Sequence, residues 1–378
     1  MNVAQVSHLY RPSIGGIENY SYRLANSLRE SGHSVSVVTT DASLANDRSP
    51  LSVETDVTYC ETTATVLRNP FSIELYRTVR RSTADVYHLH SPWYLSTLES
   101  VLALPAGTPV VMTIHGFQPI RSLAARVLDA AYGPFAQYVL DTVDRTIVLG
   151  RSEKERLLNE FDVSPADVSV IPNGIRPTEH DVSASAVERV HNEHGIDPST
   201  PTVLYVSRLV PLKNPRVLVD AVSKGLPDVE MDALLVGNGE RSYVSDLRDR
   251  ADDRVRFLAN LPFEDLQALY HAADVFVMPS RSEGLPTVVL EAMNAELPIV
   301  TTPVGALADV IDHRDHGWVL PSPPTARALV RAIRFYVEHP TERRATGERN
   351  RTYVHTAFDW EEVARDIESV YEEVLGDR

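Results

Sequence analysis

Glu283 and Glu291 stand on either side of the run Gly284-Leu285-Pro286-Thr287-Val288. The apolar stretch Asp274-Val275-Phe276-Val277-Met278 before them reads as a strand, and the residues after Pro286 read as a helix. The two carboxylates therefore bracket a strand-to-helix turn. Proline suits the first helical position, where a missing N–H costs nothing. The free amides of Leu285, Thr287 and Val288 then point out of the helix start, where N–H groups and the helix dipole favour a phosphate. Glu291 lies on the helical face of Thr287 and Val288, one turn deeper. A carboxylate there can bind hydroxyls of a sugar attached to that phosphate, such as a ribose. Glu283 can accept hydrogen bonds from a second sugar. The pattern predicts a nucleotide-sugar site, while the pair taken alone also fits two solvated glutamates flanking a helix.

The same segment resembles the E-x7-E signature of the retaining glycosyltransferases of family 4, which have the GT-B fold. The strand from Ala273 to Ser280, then Glu291-Ala292-Met293, then the proline-led Pro298-Ile299-Val300-Thr301 match that family's context. The resemblance implies an α/β chain with the GT-B fold: two Rossmann-like, doubly wound parallel-sheet domains facing a central cleft. It covers nearly the whole sequence, most strongly from 202 to 320 and more weakly from 40 to 105. By resemblance Glu283 holds the transferred sugar and Glu291 the ribose, while Gly284, Leu285, Pro286, Thr287 and Val288 bind sugar and phosphates. Val206-Ser207-Arg208-Leu209-Val210-Pro211-Leu212-Lys213-Asn214 is similar to the family's G/S-R-L-x-x-x-K-N/G motif, with Arg208 and Lys213 on the donor diphosphate. Gly16 would face the donor phosphates, Gly237 would flank the nucleotide, and His115 would lie near the transferred sugar and the acceptor. The family's stereochemistry implies front-face attack, with the departing phosphate accepting the acceptor's proton.

The physics of that arrangement is direct. No D-x-D sequence occurs anywhere in the chain, so no obvious carboxylate pair holds a divalent cation. Charge developing on the departing diphosphate must then be met by fixed cations and a helix dipole. Of the 36 lysines and arginines, only Lys154, Lys213 and Lys224 are lysine, which makes one at this spot informative. Ordinary surface cations are the plain alternative. Removing Lys213 or Glu283 is expected to abolish transfer with little loss of folding. Gly15-Gly16 allow close backbone approach to a ligand, and a tight turn accounts for them equally. His115 ends the strand Val110-Val111-Met112-Thr113-Ile114 and precedes Gly116; general-base duty is not assigned to it. The G-x-G of Val236-Gly237-Asn238-Gly239 is an incomplete Rossmann fingerprint and fits packing as well as donor contact. Departures from the family pattern are Arg176 for an aspartate after Pro172-Asn173-Gly174-Ile175, Asp309 for a glutamate, and Glu296 for a glycine, which puts the usual tight turn there in question.

The chain's 378 residues suffice for two domains. The single cysteine, Cys60, excludes an intramolecular disulfide framework and fits a reducing compartment. No apolar run approaches the length of a membrane span, and no signal core opens the chain; a cytoplasmic location is expected, with peripheral contact at the inner membrane face left open. The net charge of −16 argues against nonspecific nucleic-acid binding. An acidic, lysine-poor chain resembles cytoplasmic proteins of salt-loving microbes. Arg77, Arg80, Arg81, Arg121 and Arg126 give the first half local positive charge. They fit either helix-face solvation or an anionic lipid or polyprenyl-phosphate acceptor.

Strand and helix patterns alternate, first from Val3-Ala4-Gln5-Val6-Ser7 and again from Thr202-Val203-Leu204-Tyr205-Val206, which predicts parallel βαβ units. Residues 172–200, rich in proline, acidic and small residues, read as the boundary. The expected division is an acceptor-side domain at 1–175, a donor domain at 176–358, and a helix at 359–378 that in the resembling family crosses back to the first domain. The function implied is metal-independent, retaining transfer of a sugar from a nucleoside-diphosphate sugar to a hydroxyl of a glycan or lipid-linked acceptor, with no cofactor. Two other readings stand beside it: a catalytically silent nucleotide-sugar binder, and an NAD-linked Rossmann oxidoreductase. The missing G-x-G-x-x-G in the first βαβ unit weighs against the latter.

Overall fold

A computed structural model describes residues 1–13, 15–44, 56–66, 69–117 and 123–377, without the side chains of 123–131. The chain forms two compact units, residues 1–172 with 361–378, and residues 173–360. In the first unit the strands are β1 (Asn2–Val6), β2 (Ser34–Thr40), β3 (Val57–Cys60), β4 (Ala64–Val66), β5 (Asn69–Phe71), β6 (Val86–His90), β7 (Val110–Ile114), β8 (Arg145–Val148) and β9 (Val168–Val170). Seven of them form one parallel sheet in the order β3-β2-β1-β6-β7-β8-β9, and β4 and β5 form a small antiparallel hairpin. The second unit holds β10 (Thr202–Val206), β11 (Asp232–Val236), β12 (Val255–Leu258), β13 (Val275–Met278), β14 (Ile299–Thr301) and β15 (Gly317–Val319), ordered β12-β11-β10-β13-β14-β15.

Both sheets are parallel, and their central strands β7, β10 and β13 are buried on both faces and read as largely apolar runs. Val203, Leu204 and Tyr205 are fully buried, as are Val111, Met112 and Ile114. In each sheet the chain order reverses beside the first strand, between β1 and β6 and between β10 and β13. At such a reversal the loops leaving the strands' carboxyl ends diverge and open a crevice for ligands. Those ends carry the candidate residues.

Differences from the sequence reading are local. The edge strand β3 and the β4–β5 hairpin were not foreseen. Both are short, and β4 is exposed throughout, so neither leaves an apolar run. Residues 173–200 are not a bare connection. Ala184–His194 forms a helix capped by Ser183, which sits beside the helix Phe263–Ala272, and both belong to the second unit. The helix Trp360–Gly376 leaves the second unit at its first residue and belongs to the first from Glu361 onward, where the Tyr371 hydroxyl meets His88 Nδ1 at 2.5 Å. The turn at Glu296 survives without glycine. Glu296 adopts a left-handed φ of 61°, a conformation that costs a non-glycine residue about 1–2 kcal/mol, and pairs with Arg351 at 3.0 Å.

Candidate active site

In the second unit, the loop after β10 and the loop after β13 are tied together by backbone. The amide of Arg281 donates to the carbonyl of Leu212 at 2.9 Å. The Asn214 side chain adds to this: its Nδ2 donates to the Pro279 carbonyl at 3.2 Å, from a residue in the left-handed region at φ 53°. The buried Tyr205 hydroxyl lies 3.4 Å from the carbonyls of both Arg208 and Lys213. Burial, and then the charge of Glu283, push that phenol far above its ordinary pKa, so it stays a neutral donor.

Within this frame the Lys213 ammonium donates to Glu283 Oε2. The Glu283 side chain is 4% exposed and that of Lys213 15%. The other carboxylate oxygen, Oε1, is buried and has no hydrogen-bond partner. A buried carboxylate oxygen left unpaired is costly, so this atom is an open acceptor at the turn. Spacing brought the two residues into one motif set, but only the fold shows them paired. Arg208 is exposed on the same loop.

The helix after the turn runs Thr287–Asn294, with Pro286 flanking it instead of forming its first residue, and no side chain caps its start. The amides of the first turn are therefore not taken up by a capping side chain. Glu291 is partly exposed, and the buried Tyr270 phenol is pushed far up by burial and then by the Glu291 charge. Two supporting contacts were not legible as such. Asn173, in the Pro-Asn-Gly turn, donates to the Leu285 carbonyl at 2.5 Å. A Cβ on Gly305 would lie 2.0 Å from the Glu283 carbonyl, so only glycine lets the β14 loop rest on the turn. Asn173 belongs to the Pro-Asn-Gly turn that resembles the family's, and nothing in its spacing points to Leu285.

Gly237 packs against the loop bearing Arg208: a Cβ there would come within 2.0 Å of the Ser207 carbonyl. Beside it lies a cavity of about 360 Å³ lined by Leu209, Gly239, Arg241, Arg248, Phe257 and Leu258 among others.

The first unit carries a different set at its strand ends. His8 follows β1, His90 ends β6 and His115 follows β7. The His115 Nε2 lies 3.1 Å from His90 Nδ1, and its backbone amide donates to Ser91 Oγ at 3.2 Å. Ser91 takes a positive φ of 57°, a strained setting for a non-glycine residue. Tyr20 presses edge-on against His115, and His8 stacks on Tyr94 with ring centroids 3.7 Å apart. Burial lowers the imidazoles of His88 and His115 to about 3 and that of His8 to about 4, and holds His90 well below its ordinary value. All four are neutral at physiological pH. Gly16 opens the helix Gly16–Glu30, and a Cβ there would meet no atom within 4 Å. Among the described residues, no group of three or more His, Cys, Asp and Glu side chains is arranged to hold a metal. No helix among them is long and apolar enough to cross a membrane.

Comparison with known proteins decides the family. Residues 14–179 match the model of Glycosyltransferase Family 4, and residues 186–353 match that of Glycosyl transferases group 1. The chain belongs to the family 4, group 1 glycosyltransferases. An uncharacterized glycosyltransferase of Methanocaldococcus jannaschii is 28% identical across 98% of this chain and 98% of the relative. One component of the human phosphatidylinositol N-acetylglucosaminyltransferase is 26% identical across 99% of this chain and 76% of its own length. Among solved structures, Anabaena HepE in complex with UDP aligns with a TM-score of 0.81 at 18% identity, covering 99% of this chain and 100% of that one. The same protein has been solved with UDP-glucose. At that identity the likeness is one of fold: this glycosyltransferase has the GT-B architecture of two Rossmann-like domains.

Proposed function

We propose that this glycosyltransferase moves a sugar from a nucleoside-diphosphate sugar to a hydroxyl of a glycan or lipid-linked acceptor, with retention of configuration and without a metal. The observation that carries the reading is the buried Lys213–Glu283 pair beside a helix start that no side chain caps, with Glu283 Oε1 left as an open acceptor. A donor entering there gives Lys213 and Arg208 a diphosphate to neutralise. It also gives Glu283 the hydroxyls of the transferred sugar. Each charge-assisted hydrogen bond is worth roughly 1.5–3 kcal/mol, up to about a hundredfold in rate if made at the transition state. Glu291 takes the ribose, and the backbone amides of Gly284, Leu285, Thr287 and Val288 take the sugar and phosphates. The cavity beside Gly237, partly apolar and rimmed by Arg241, suits the nucleoside.

Metal independence rests on the lack of a D-x-D pair and on the fixed cations that replace it. A donor of the nucleotide-sugar class is supported by the UDP and UDP-glucose complexes of the Anabaena protein. A lipid-linked acceptor is in keeping with the human relative, whose name specifies phosphatidylinositol. Ile73, Tyr76, Arg77 and Arg81 are exposed on the helix Ile73–Arg81 and give the first unit a surface for a membrane's inner face. Arg121 and the side chain of Arg126 lie outside the described residues. His115 contacts the transferred sugar or the acceptor.

The test is turnover in EDTA of a panel of UDP-, GDP- and ADP-sugars with hydroxyl acceptors, followed by NMR of the anomeric proton of the product. One donor is expected to be consumed, giving a product of unchanged anomeric configuration. Inversion, strict dependence on added magnesium or manganese, or donor binding with no turnover would each overturn part of the proposal. The last would leave a silent binder.

A further inference from the structure

The histidines at the strand ends of the first unit form a directed chain, and its direction can be read from hydrogen-bond bookkeeping. Ser21, on the helix Gly16–Glu30, is fully buried, and its Oγ lies 3.0 Å from His90 Nε2. No other polar partner meets that hydroxyl among the described residues. A buried hydroxyl whose proton has nowhere to go is costly, so Ser21 donates to His90 Nε2. A neutral imidazole that accepts at one nitrogen carries its proton on the other. His90 therefore presents Nδ1–H to His115 Nε2, 3.1 Å away. His115 must then accept at Nε2 and carry its own proton on Nδ1, the nitrogen that makes no hydrogen bond among the described residues. The Tyr20 ring, set edge-on with its centroid 4.7 Å from that of His115, and the Ser91 bond to the His115 backbone hold the imidazole in that pose.

We propose that Ser21 and His90 are positioning residues that lock His115 as its Nδ1–H tautomer, making it a hydrogen-bond donor to a hydroxyl oxygen of the sugar or acceptor. This rests on the reading that His115 contacts substrate. It adds which atom does so and with which polarity. A donor at Nδ1 cannot remove the acceptor's proton, so His115 is not the base of the reaction. The same chain links the helix that begins at Gly16 to the loop after β7, so a shift of one is felt by the other.

The experiment uses the full chain labelled with 15N-histidine, and long-range 15N–1H correlations that tell a protonated ring nitrogen from a bare one. Wild type is expected to show His115 protonated at Nδ1 and bare at Nε2. His90→Leu removes the donor, so His115 should become a mixture of both tautomers. His90→Asn, whose amide can take the place of Nδ1–H, should return it to one. Turnover of the preferred UDP-, GDP- or ADP-sugar should fall about tenfold in kcat for His90→Leu with KM for the donor little changed, and His90→Asn should recover most of the loss. If His90→Leu melts too low to measure, Ser21→Ala supplies the same test by releasing His90. Protonation of wild-type His115 at Nε2, or one unchanged tautomer in both His90→Leu and Ser21→Ala, would overturn the proposal. His115→Ala separates the two claims. If it turns over normally, the contact with substrate fails while the tautomer measurement still decides the rest.

Discussion

The carboxyl edges of the two sheets are built alike and furnished differently. In the second unit the loops after β10 and β13 carry a lysine–glutamate pair, an exposed arginine and a helix start with no capping side chain. In the first unit the strand β6 and the loops after β1 and β7 carry four imidazoles, all held neutral by burial. One edge is charged and presents an open carboxylate oxygen. The histidine cluster of the other is uncharged and presents directional donors and acceptors. Charge belongs where a pyrophosphate must be met, and neutral hydrogen-bonding groups where sugar hydroxyls are sorted. On the proposed function, this difference in polar side chains divides the work between the donor side and the acceptor side.

Four tests break or sharpen that contrast. The largest effect is expected at the charged edge. Lys213→Met and Glu283→Gln should each lower turnover by about a hundredfold. The pairing sharpens the expectation of little loss of folding. Either single variant strips the other residue of its partner, at a cost of up to about 3 kcal/mol. The double variant should recover much of that stability in thermal melts and none of the activity. Activity that recovered together with stability would make the pair structural.

The neutral edge should fail by acid. His8, His88 and His115 titrate near 6.5 when unfolded, and their folded values lie at about 4, 3 and 3. The unfolded chain therefore binds more protons as the pH falls through 6.5. The stability present above that pH is lost progressively down to about pH 4 to 3, at up to about 1.4 kcal/mol per pH unit for each histidine. Melting followed at pH 7.5 and pH 5 should show a clear drop, and His88→Asn should flatten it. An unchanged midpoint would contradict the neutral assignment.

A smaller loss is expected for His115→Ala, about tenfold in kcat, as befits one neutral hydrogen bond to a sugar. A loss as large as that of Lys213→Met would erase the contrast between the edges. Smallest of all, Glu296→Gly relieves a left-handed residue distant in role from both edges. It should raise stability by about 1 kcal/mol or less, since the exposed Arg351 pair it removes is worth little, and leave turnover unchanged.

Much of this was legible in the sequence. Strands buried on both faces leave apolar runs, so the run from Thr202 to Val206 is legible as β10 at its observed bounds, and the turn from Glu283 to Glu291 is legible from its two carboxylates and its proline. What was not legible depends on distance along the chain. The Lys213–Glu283 contact joins residues far apart in sequence, as does the Asn173 bond to Leu285. The His90–His115 bond arises because β6 and β7 lie side by side in the sheet. A lone histidine in a sequence carries no sign of the other three around it. Glu296 shows the opposite limit: a residue type argued against a turn that packing imposed regardless.

The account depends most on Lys213 meeting a diphosphate without help from a metal. Isothermal titration of UDP, GDP and ADP into wild type and Lys213→Met, both in EDTA, tests it directly. One nucleoside diphosphate should bind wild type and lose about a hundredfold in affinity to the variant. Equal affinity for both proteins, or binding to wild type only after magnesium is restored, would contradict it.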